Sequence, residues 1–216
     1  MSMAASPPAS EAGGFGPIVV MGVSGCGKTS VGEKLAAYLG CGFIEGDSLH
    51  PSSNVRKMRM RTPLEDFPID RWEQLMKTNV SSVFYVGQAV ARHMIGRGQG
   101  KIINIASVQS ELARPGIAPY TATKGAVKNL TRGTCADWAK HGLQVNAIAP
   151  GYFKTPLNQA LVDNPEFSSW LEKRTPAARW GDVEELVGAA VFLAGKASSF
   201  VNGHTLYVDG GITTCL

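Results

Sequence analysis

Tyr120 and Lys124, four residues apart at the start of a predicted helix, are a pair that can carry proton chemistry. Residues at positions i and i+4 of a helix share one face, so the phenol and the ammonium group lie close together. A free phenol has a pKa of about 10, and a nearby positive charge favours its ionised form. The pair can therefore act as general acid and base on a hydroxyl or carbonyl group. A Tyr-x-x-x-Lys pair also arises by chance as an ordinary surface pair.

Ser107 lies thirteen residues before Tyr120, directly after the predicted strand Ile102–Ala106. Its hydroxyl can hold and polarise a substrate oxygen. A serine at the end of a strand also commonly satisfies the backbone of a turn, and this structural role stays open. The offset from Tyr120 favours the catalytic role.

A second site for chemistry is predicted in residues 22–29, Gly-Val-Ser-Gly-Cys-Gly-Lys-Thr. The segment fits G-x-x-x-x-G-K-[ST], and it has a β-branched run before it and a helical pattern after it, as a phosphate-binding loop requires. Backbone N–H groups of such a loop and the following helix N-terminus bind phosphate. The expected cofactor ligands of this loop are Gly22, Gly25, Gly27, Lys28 and Thr29. If ATP is bound, Thr29 is also the expected Mg²⁺ ligand.

Residues 46–58 add Gly-Asp-x-Leu-His-Pro-x-x-Asn-x-x-Lys-Met to this loop. Together, residues 17–60 resemble the start of a bacterial-type gluconokinase. The resemblance implies that Asp47 and His50 lie near the sugar-acid hydroxyls and the transferred phosphoryl group. It stops at about Met58, and we find no counterpart downstream of the arginine-bearing lid of those kinases. ATP-dependent phosphorylation of gluconate is therefore an alternative function.

The composition of the 216 residues, 44% hydrophobic and 18% charged with a net charge of +4, is typical of a globular protein. Lys and Arg are scattered, which argues against a nucleic-acid-binding stripe. No apolar run reaches the ~18 residues of a membrane span. The four cysteines show neither metal-ligand spacing nor a disulfide framework, so a cytoplasmic location is expected. Residues 1–16 predict a disordered leader and no signal peptide.

From residue 61 onward, helical and strand patterns alternate. An apolar stripe predicts a helix from Asp70 to about His93. Compact apolar runs predict buried strands at Ile102–Ala106, at Gln144–Ile148 and in the segment Gly203–Gly211. The fold class predicted from these elements is α/β with a parallel, doubly wound (Rossmann-like) sheet that is incomplete or hybrid.

The motifs of residues 61–216 form an ordered set. A helix asparagine is followed by a serine at a strand end, Tyr-x-x-x-Lys, Asn-x-x-x-Pro-Gly and a terminal Val-Asp-Gly-Gly. This set resembles the short-chain dehydrogenase/reductase family, and most closely its gluconate 5-dehydrogenase branch. The resemblance implies an oxidoreductase that transfers a hydride between NAD or NADP and gluconate or 5-ketogluconate.

The family resemblance also implies a role for each site residue. Its catalytic positions match Ser107, Tyr120, Lys124 and Asn79, the asparagine supporting a water relay to the lysine. Its cofactor-binding positions match Lys124, Pro150, Gly151 and Thr155, the lysine on the ribose and the others beside the nicotinamide. Arg114 and the region 166–179 are expected to shape the sugar-acid pocket, although no motif marks them.

The family's opening β-α-β unit, which carries T-G-x-x-x-G-x-G, has no counterpart here. We interpret the chain as a fusion of two truncated genes, with a leader (1–16), a kinase-like fragment (17–60) and a dehydrogenase catalytic half (61–216). The run Ile18–Met21 can pair beside Ile102–Ala106 in a hybrid sheet. If it does not pair, parallel strands expose apolar edges and the chain aggregates.

The expected partners are a small-molecule sugar acid and further protein chains, with no nucleic acid and no membrane. In the family, the helices corresponding to 72–93 and 120–138 usually form a dimer interface. The resemblance therefore implies a homo-oligomer through these helices, or a mixed dimer with an intact relative. A catalytically inactive chain that acts only by association is the third functional hypothesis.

Overall fold

The computed structural model describes residues 18–21, 28–43 and 63–215. Its four strands form one sheet in the order β1-β2-β3-β4, and each neighbouring pair is parallel. The strand bounds are β1 Ile18–Met21, β2 Gly100–Ile105, β3 Leu143–Pro150 and β4 Thr205–Val208. The prediction of an α/β fold with a parallel sheet is confirmed.

Helices alternate with the strands along the chain. The α-helices of the described residues are α1 Lys28–Leu39, α2 Ile69–Met76, α3 Ser82–Ile95, α4 Ala118–Trp138, α5 Gln159–Val162, α6 Pro165–Arg174 and α7 Val187–Ala194. The single helix predicted over residues 70–93 is interrupted by a π-turn at Lys77–Ser81, between α2 and α3. Short 3₁₀ turns at Val108–Ser110 and Val183–Leu186 lie between β2 and α4 and before α7.

The strand nearest the N-terminus belongs to the same sheet as the dehydrogenase-like half. In the ladder between β1 and β2, Val19 lies opposite Ile102 and Met21 lies opposite Asn104. This is the hybrid arrangement that the sequence left as one of two alternatives. It forms because the β1 run is apolar enough to be covered on both faces, as a strand in a parallel sheet must be.

The two faces of the sheet are covered by different helices. On one face, α1 and α7 pack over Ile103, Ile105 and Ile148. On the other face, α3 and α4 pack over Ile102 and Val145. Successive residues of a strand point to opposite faces, so the uninterrupted apolar runs of β2 and β3 supply both layers.

A third apolar cluster lies beyond the carboxyl ends of the strands. It joins Val108, which follows β2, to Tyr152, which follows β3, and to Ile212, which follows β4. Leu171 of α6 and Trp180 complete its buried part. The cluster therefore closes the sheet edge at which parallel α/β proteins bind their ligands. Among the described residues, no helix is long and apolar enough to cross a membrane.

Candidate active site

The Tyr120–Lys124 pair occupies the first turns of α4, which begins at Ala118 with Pro119 in its first turn. The Lys124 ammonium lies 5.7 Å from the centre of the Tyr120 ring. Only 1% of Lys124 is exposed, and its Nζ donates a 2.8 Å hydrogen bond to the carbonyl oxygen of Ile105 at the end of β2. A buried ammonium is costly unless it is paired or hydrogen-bonded, so this anchor fixes a positive charge beside the phenol.

Ser107 lies two residues beyond the carbonyl that Lys124 contacts. It is buried, and it caps the 3₁₀ turn Val108–Ser110 by accepting a 3.2 Å hydrogen bond from the backbone N–H of Gln109. The structural role considered for Ser107 is therefore present. The contact uses the oxygen as an acceptor, so the hydroxyl proton can still be donated to a bound oxygen.

A second hydrogen bond ties the serine loop to the helix. The hydroxyl of Ser110 donates to the carbonyl oxygen of Lys124 at 3.0 Å. Together with the bond from Lys124 to Ile105, it holds the segment after β2 against the first turns of α4. The structure thus brings Ser107, Tyr120 and Lys124 to one place at the carboxyl edge of the sheet.

Asn79 lies in the π-turn, fully buried against α4. Its Nδ2 donates to the hydroxyl of Thr123 at 3.0 Å, and that hydroxyl donates to the carbonyl oxygen of Tyr120 at 2.7 Å. The Asn79 Oδ1 is buried and has no hydrogen-bond partner among the described residues. π-Turns inside helices are frequent at functional sites because the extra residue redirects a side chain. Thr123 was not singled out from the sequence, although its offset of three from Tyr120 was a signal.

The predicted nicotinamide-side residues follow β3. Pro150 ends the strand, and the N–H of Gly151 donates to the carbonyl oxygen of Val208 at 2.9 Å. A Cβ on Gly151 would lie 2.8 Å from the Cα of Asp209, so close packing against the end of β4 already requires glycine here. Thr155 accepts a 3.3 Å bond from the N–H of Asn158 and lies in the segment that leads to α5.

The terminal Val-Asp-Gly-Gly motif builds a turn. The carboxylate of Asp209 accepts hydrogen bonds from the N–H of Gly211 at 2.8 Å and from the hydroxyl of Thr213 at 2.5 Å. Gly210 and Gly211 have φ angles of 64° and 90°, which residues other than glycine rarely adopt. The turn places Ile212 in the cluster at the carboxyl edge.

Several predicted site residues lie outside what the structure describes. They are Gly22, Gly25, Gly27, Asp47 and His50. The backbone of Lys28 and Thr29 opens α1, and their side chains are not described. Within the described ranges, no cluster of three or more His, Cys, Asp or Glu residues could hold a metal ion.

A parallel sheet with helices on both faces and a Tyr-x-x-x-Lys pair at its carboxyl edge places the chain in the doubly wound α/β class. The chain belongs to the short-chain dehydrogenase/reductase family. A family model described as enoyl-(acyl carrier protein) reductase matches residues 47–213. The match begins upstream of the boundary predicted between residues 60 and 61, and that boundary stays a prediction.

Two curated relatives of the chain are named for gluconate and for 5-keto-D-gluconate. It is 69% identical to gluconate 5-dehydrogenase of Gluconobacter oxydans over 163 residues, which cover 76% of this chain and 64% of that protein. It is 59% identical to 5-keto-D-gluconate 5-reductase of Escherichia coli K12 over 159 residues, covering 74% and 63%. The chain thus spans a little under two thirds of the length of these relatives.

Two solved structures show different extents of likeness. A gluconate 5-dehydrogenase from Burkholderia cenocepacia, solved with NADP and tartrate, is 66% identical with a TM-score of 0.71, covering 73% of this chain and 62% of that one. A protein from Agrobacterium tumefaciens is 36% identical with a TM-score of 0.80, covering 94% of this chain and 98% of that one. A match over 94% of the chain includes residues on both sides of position 60.

Proposed function

We propose that this chain is an oxidoreductase that transfers a hydride between NAD(P) and a sugar acid, gluconate or its 5-keto form. The observation that carries the proposal is the Lys124 ammonium, buried at the end of β2 and 5.7 Å from the centre of the Tyr120 ring. The relatives named above as gluconate 5-dehydrogenase and 5-keto-D-gluconate 5-reductase support the substrate class. Tartrate in the Burkholderia structure is likewise a hydroxylated carboxylate.

In the proposed reaction, Tyr120 moves the proton. During oxidation its phenolate takes the proton of the substrate hydroxyl, and during reduction its phenol returns that proton to the carbonyl oxygen. The fixed charge of Lys124 stabilises the phenolate, because an opposite charge within a few ångströms favours the ionised form. Ser107 donates a hydrogen bond to the same substrate oxygen and orients it. A bound nicotinamide supplies or accepts the hydride.

The residues present fit the nicotinamide half of a dinucleotide. Lys124 is the proposed ribose ligand, and Pro150, Gly151 and Thr155 follow β3 at the edge where parallel sheets bind dinucleotides. Asn79 is proposed to support the lysine side of the site, since its unpaired Oδ1 is buried next to α4. The NADP of the Burkholderia structure supports NAD(P) as the cofactor class. We expect the choice between NAD and NADP to depend on the N-terminal part of the chain.

The kinase alternative gains no support from the described residues. Its phosphate loop and its predicted substrate ligands lie in residues 22–27 and 44–62, which the structure does not describe. The relatives reported above are dehydrogenases and reductases. We retain association through the α2–α3 and α4 helices as a proposal, because Trp72, Phe84 and Tyr85 are exposed on that side.

The first experiment is a thermal melt of the full chain with and without NADPH or NADH. A ligand that binds only the folded chain at a hundredfold excess over its Kd raises stability by about 2.7 kcal/mol, so the midpoint must rise. Turnover of gluconate and 5-ketogluconate is then followed by the absorbance of the reduced cofactor. A cooperative melt that neither dinucleotide moves, together with no turnover, contradicts the proposal.

Tyr120→Phe separates chemistry from binding. Removing the phenol is expected to lower kcat by about 10²- to 10⁴-fold while the cofactor-dependent melting shift is kept. Tyr207→Phe is the matched control, since the buried hydroxyl of Tyr207 on β4 has no hydrogen-bond partner among the described residues. Turnover that survives in Tyr120→Phe, or that is lost equally in both variants, excludes Tyr120 as the acid–base group.

A further inference from the structure

Arg114 lies in the segment between the 3₁₀ turn Val108–Ser110 and helix α4, seven residues after Ser107 and six before Tyr120. This segment links the two proposed catalytic side chains, and both of its ends are fixed at the carboxyl edge of the sheet. A cation in such a segment is therefore held near the substrate that Ser107 and Tyr120 would contact.

The charge of Arg114 has no counter-ion in the described structure. The side chain is half-buried, its Nε is fully buried without a hydrogen-bond partner, and no described carboxylate lies within ion-pair distance. Arg179 differs in this respect, because it forms a two-pronged pair with Glu185 at 2.6 and 2.8 Å. A partly buried cation without a partner is costly, which points to a ligand that supplies the charge.

The Arg114 guanidinium lies against an aromatic cluster formed by Phe167, Tyr152 and Trp180. Its central carbon lies 5.9 Å from the centre of the Phe167 ring, within the range of a cation–π contact. Phe167 in turn packs against Tyr152 at 5.8 Å and Trp180 at 6.1 Å between ring centres. This contact restricts the guanidinium and leaves N–H groups free to donate hydrogen bonds.

The same aromatic cluster connects Arg114 to the proposed catalytic residues. Phe167 and Tyr152 pack on the cluster that contains Val108, the residue directly after Ser107. Tyr152 directly follows Gly151 at the end of β3. The cluster thus forms one wall that carries the arginine and lies next to both the serine loop and the proposed nicotinamide side.

We propose that Arg114 is the carboxylate subsite of this chain, binding the acid group of the sugar acid through paired N–H···O bonds while the hydroxyl or carbonyl to be reacted faces Ser107 and Tyr120. The assignment rests on the proposed function for its substrate class and adds the residue that distinguishes an acid from a neutral polyol. Planar carboxylates match the donor geometry of a guanidinium, which a lysine ammonium cannot reproduce.

The test compares gluconate with glucitol, a neutral polyol in which a CH₂OH group replaces the carboxylate. Binding to the full chain is titrated by the fluorescence of its tryptophans, because Trp170 and Trp180 lie 5.3 and 6.1 Å from Phe167 between ring centres. This readout needs no turnover. Arg114→Gln is expected to weaken gluconate binding by about tenfold to a hundredfold and to leave glucitol binding unchanged.

Two further variants control the result. Arg114→Lys keeps the positive charge but loses the paired N–H donors of the guanidinium, so it should recover only part of the gluconate affinity. Arg97→Gln makes the same substitution at an exposed arginine in the turn between α3 and β2, at the edge of the sheet opposite the carboxyl edge, and should leave gluconate affinity unchanged. Far-ultraviolet dichroism and melting of each variant show whether it is folded, and the folded Arg114→Lys chain keeps the test valid if Arg114→Gln unfolds.

Each outcome decides the assignment. Equal affinity of the wild-type chain for gluconate and glucitol overturns it, as does an equal loss of both ligands in Arg114→Gln. Gluconate binding that depends on Arg114 without any hydride transfer supports the subsite and contradicts the proposed oxidoreductase function. Turnover of gluconate that is unaffected by Arg114→Gln supports the function and overturns the subsite.

Discussion

The N-terminal unit, β1 with α1, and the region 63–215 share one sheet but are held in it by different kinds of contact. Among the described residues, the unit is joined by the β1–β2 backbone ladder, by apolar side chains such as Val31 and Leu35, and by one exposed ion pair between Lys34 and Glu184. The region 63–215 is instead crossed by buried polar bonds, such as those from Asn79 to Thr123 and from Asn104 to Thr131.

The difference shows how strongly each kind of contact depends on the identity of the side chains. A backbone ladder and apolar packing depend little on which side chains are present, so many β-branched strands can fill such a place in a parallel sheet. A buried amide or hydroxyl needs a particular partner at a particular distance, and leaving it unpaired is costly. Among the described residues, these buried polar bonds lie in the region 63–215, while the N-terminal unit contributes a strand and apolar side chains.

The largest expected effect comes from placing a charge in the apolar attachment of the unit. Leu35 is 4% exposed between α1 and α7, and Leu35→Asp would bury a carboxylate there at a cost above about 3 kcal/mol. We expect amide hydrogen exchange to accelerate over residues 18–39 while β2 and β3 stay protected. Ala37→Asp, on the exposed face of α1, should change neither. Equal acceleration of exchange in β3 would show that the N-terminal unit and the region 63–215 unfold together. The proposed difference in how the two regions are held would then be wrong.

The polar region offers a matched pair of threonines on α4. Thr123 and Thr131 are both fully buried, and each receives an asparagine Nδ2 and donates to a backbone carbonyl, of Tyr120 and Val127 respectively. Substituting either by valine removes two hydrogen bonds, so a similar loss of about 1–3 kcal/mol is expected from denaturant titration.

Only Thr123→Val should also affect chemistry, because only Thr123 contacts the backbone of Tyr120. We expect kcat to fall by about tenfold and the pH profile of kcat to shift, with Thr123→Ser restoring both. Thr131→Val should leave both unchanged. Equal kinetic effects of the two valine variants would mean that Thr123 contributes to folding alone.

A pair of glycines tests close packing at the end of the sheet. The Cβ of Gly151→Ala would lie 2.8 Å from the Cα of Asp209, so β3 and β4 must shift, at a cost of about 1–3 kcal/mol. Gly188 in α7 has no atom within 4 Å of an added Cβ, and Gly188→Ala should stabilise by about 0.5–1 kcal/mol through helix propensity. Thermal melts measure both, and destabilisation by Gly188→Ala of the size expected at Gly151 would refute the packing argument.

The smallest effect is expected at the ion pair that joins the N-terminal unit to the 3₁₀ turn before α7. The hydrogen bond from Lys34 lowers the pKa of Glu184 below its ordinary value. A depressed carboxyl pKa contributes stability above the unfolded pKa, and this stability is lost as the pH falls through the folded pKa. Lys34→Met should lower the Tm slightly at neutral pH, less in high salt, and not at all once Glu184 is protonated. A Tm difference that persists at acidic pH would indicate lost packing of the Lys34 stem.

Sequence reasoning succeeded where the signal is local or periodic. The strand Ile18–Met21 has the bounds its apolar run predicted, and the four-residue spacing correctly placed Tyr120 and Lys124 on one face of a helix. The π-turn at Lys77–Ser81 was not predicted, because a one-residue bulge leaves the apolar periodicity nearly intact.

Contacts between distant side chains were also beyond the sequence. Asn79 and Thr123 are 44 residues apart, and their bond depends on how two helices pack. The lack of a counter-ion at Arg114 likewise follows from tertiary packing alone. Arg114 was expected to shape the sugar-acid pocket although no motif marks it, and only the fold shows which groups surround its guanidinium.

The β1–β2 ladder also sets an order of events during synthesis. Ile18 pairs with Lys101, so β1 leaves the ribosome 83 residues before its partner strand. At about 5–20 residues per second, the apolar strand waits roughly 4–17 s before the ladder can form. During that interval it is an unpaired edge that other nascent chains can capture. The yield of folded chain should therefore depend on translation rate and on chaperones that cover this strand, even though the strand is paired with β2 in the finished sheet.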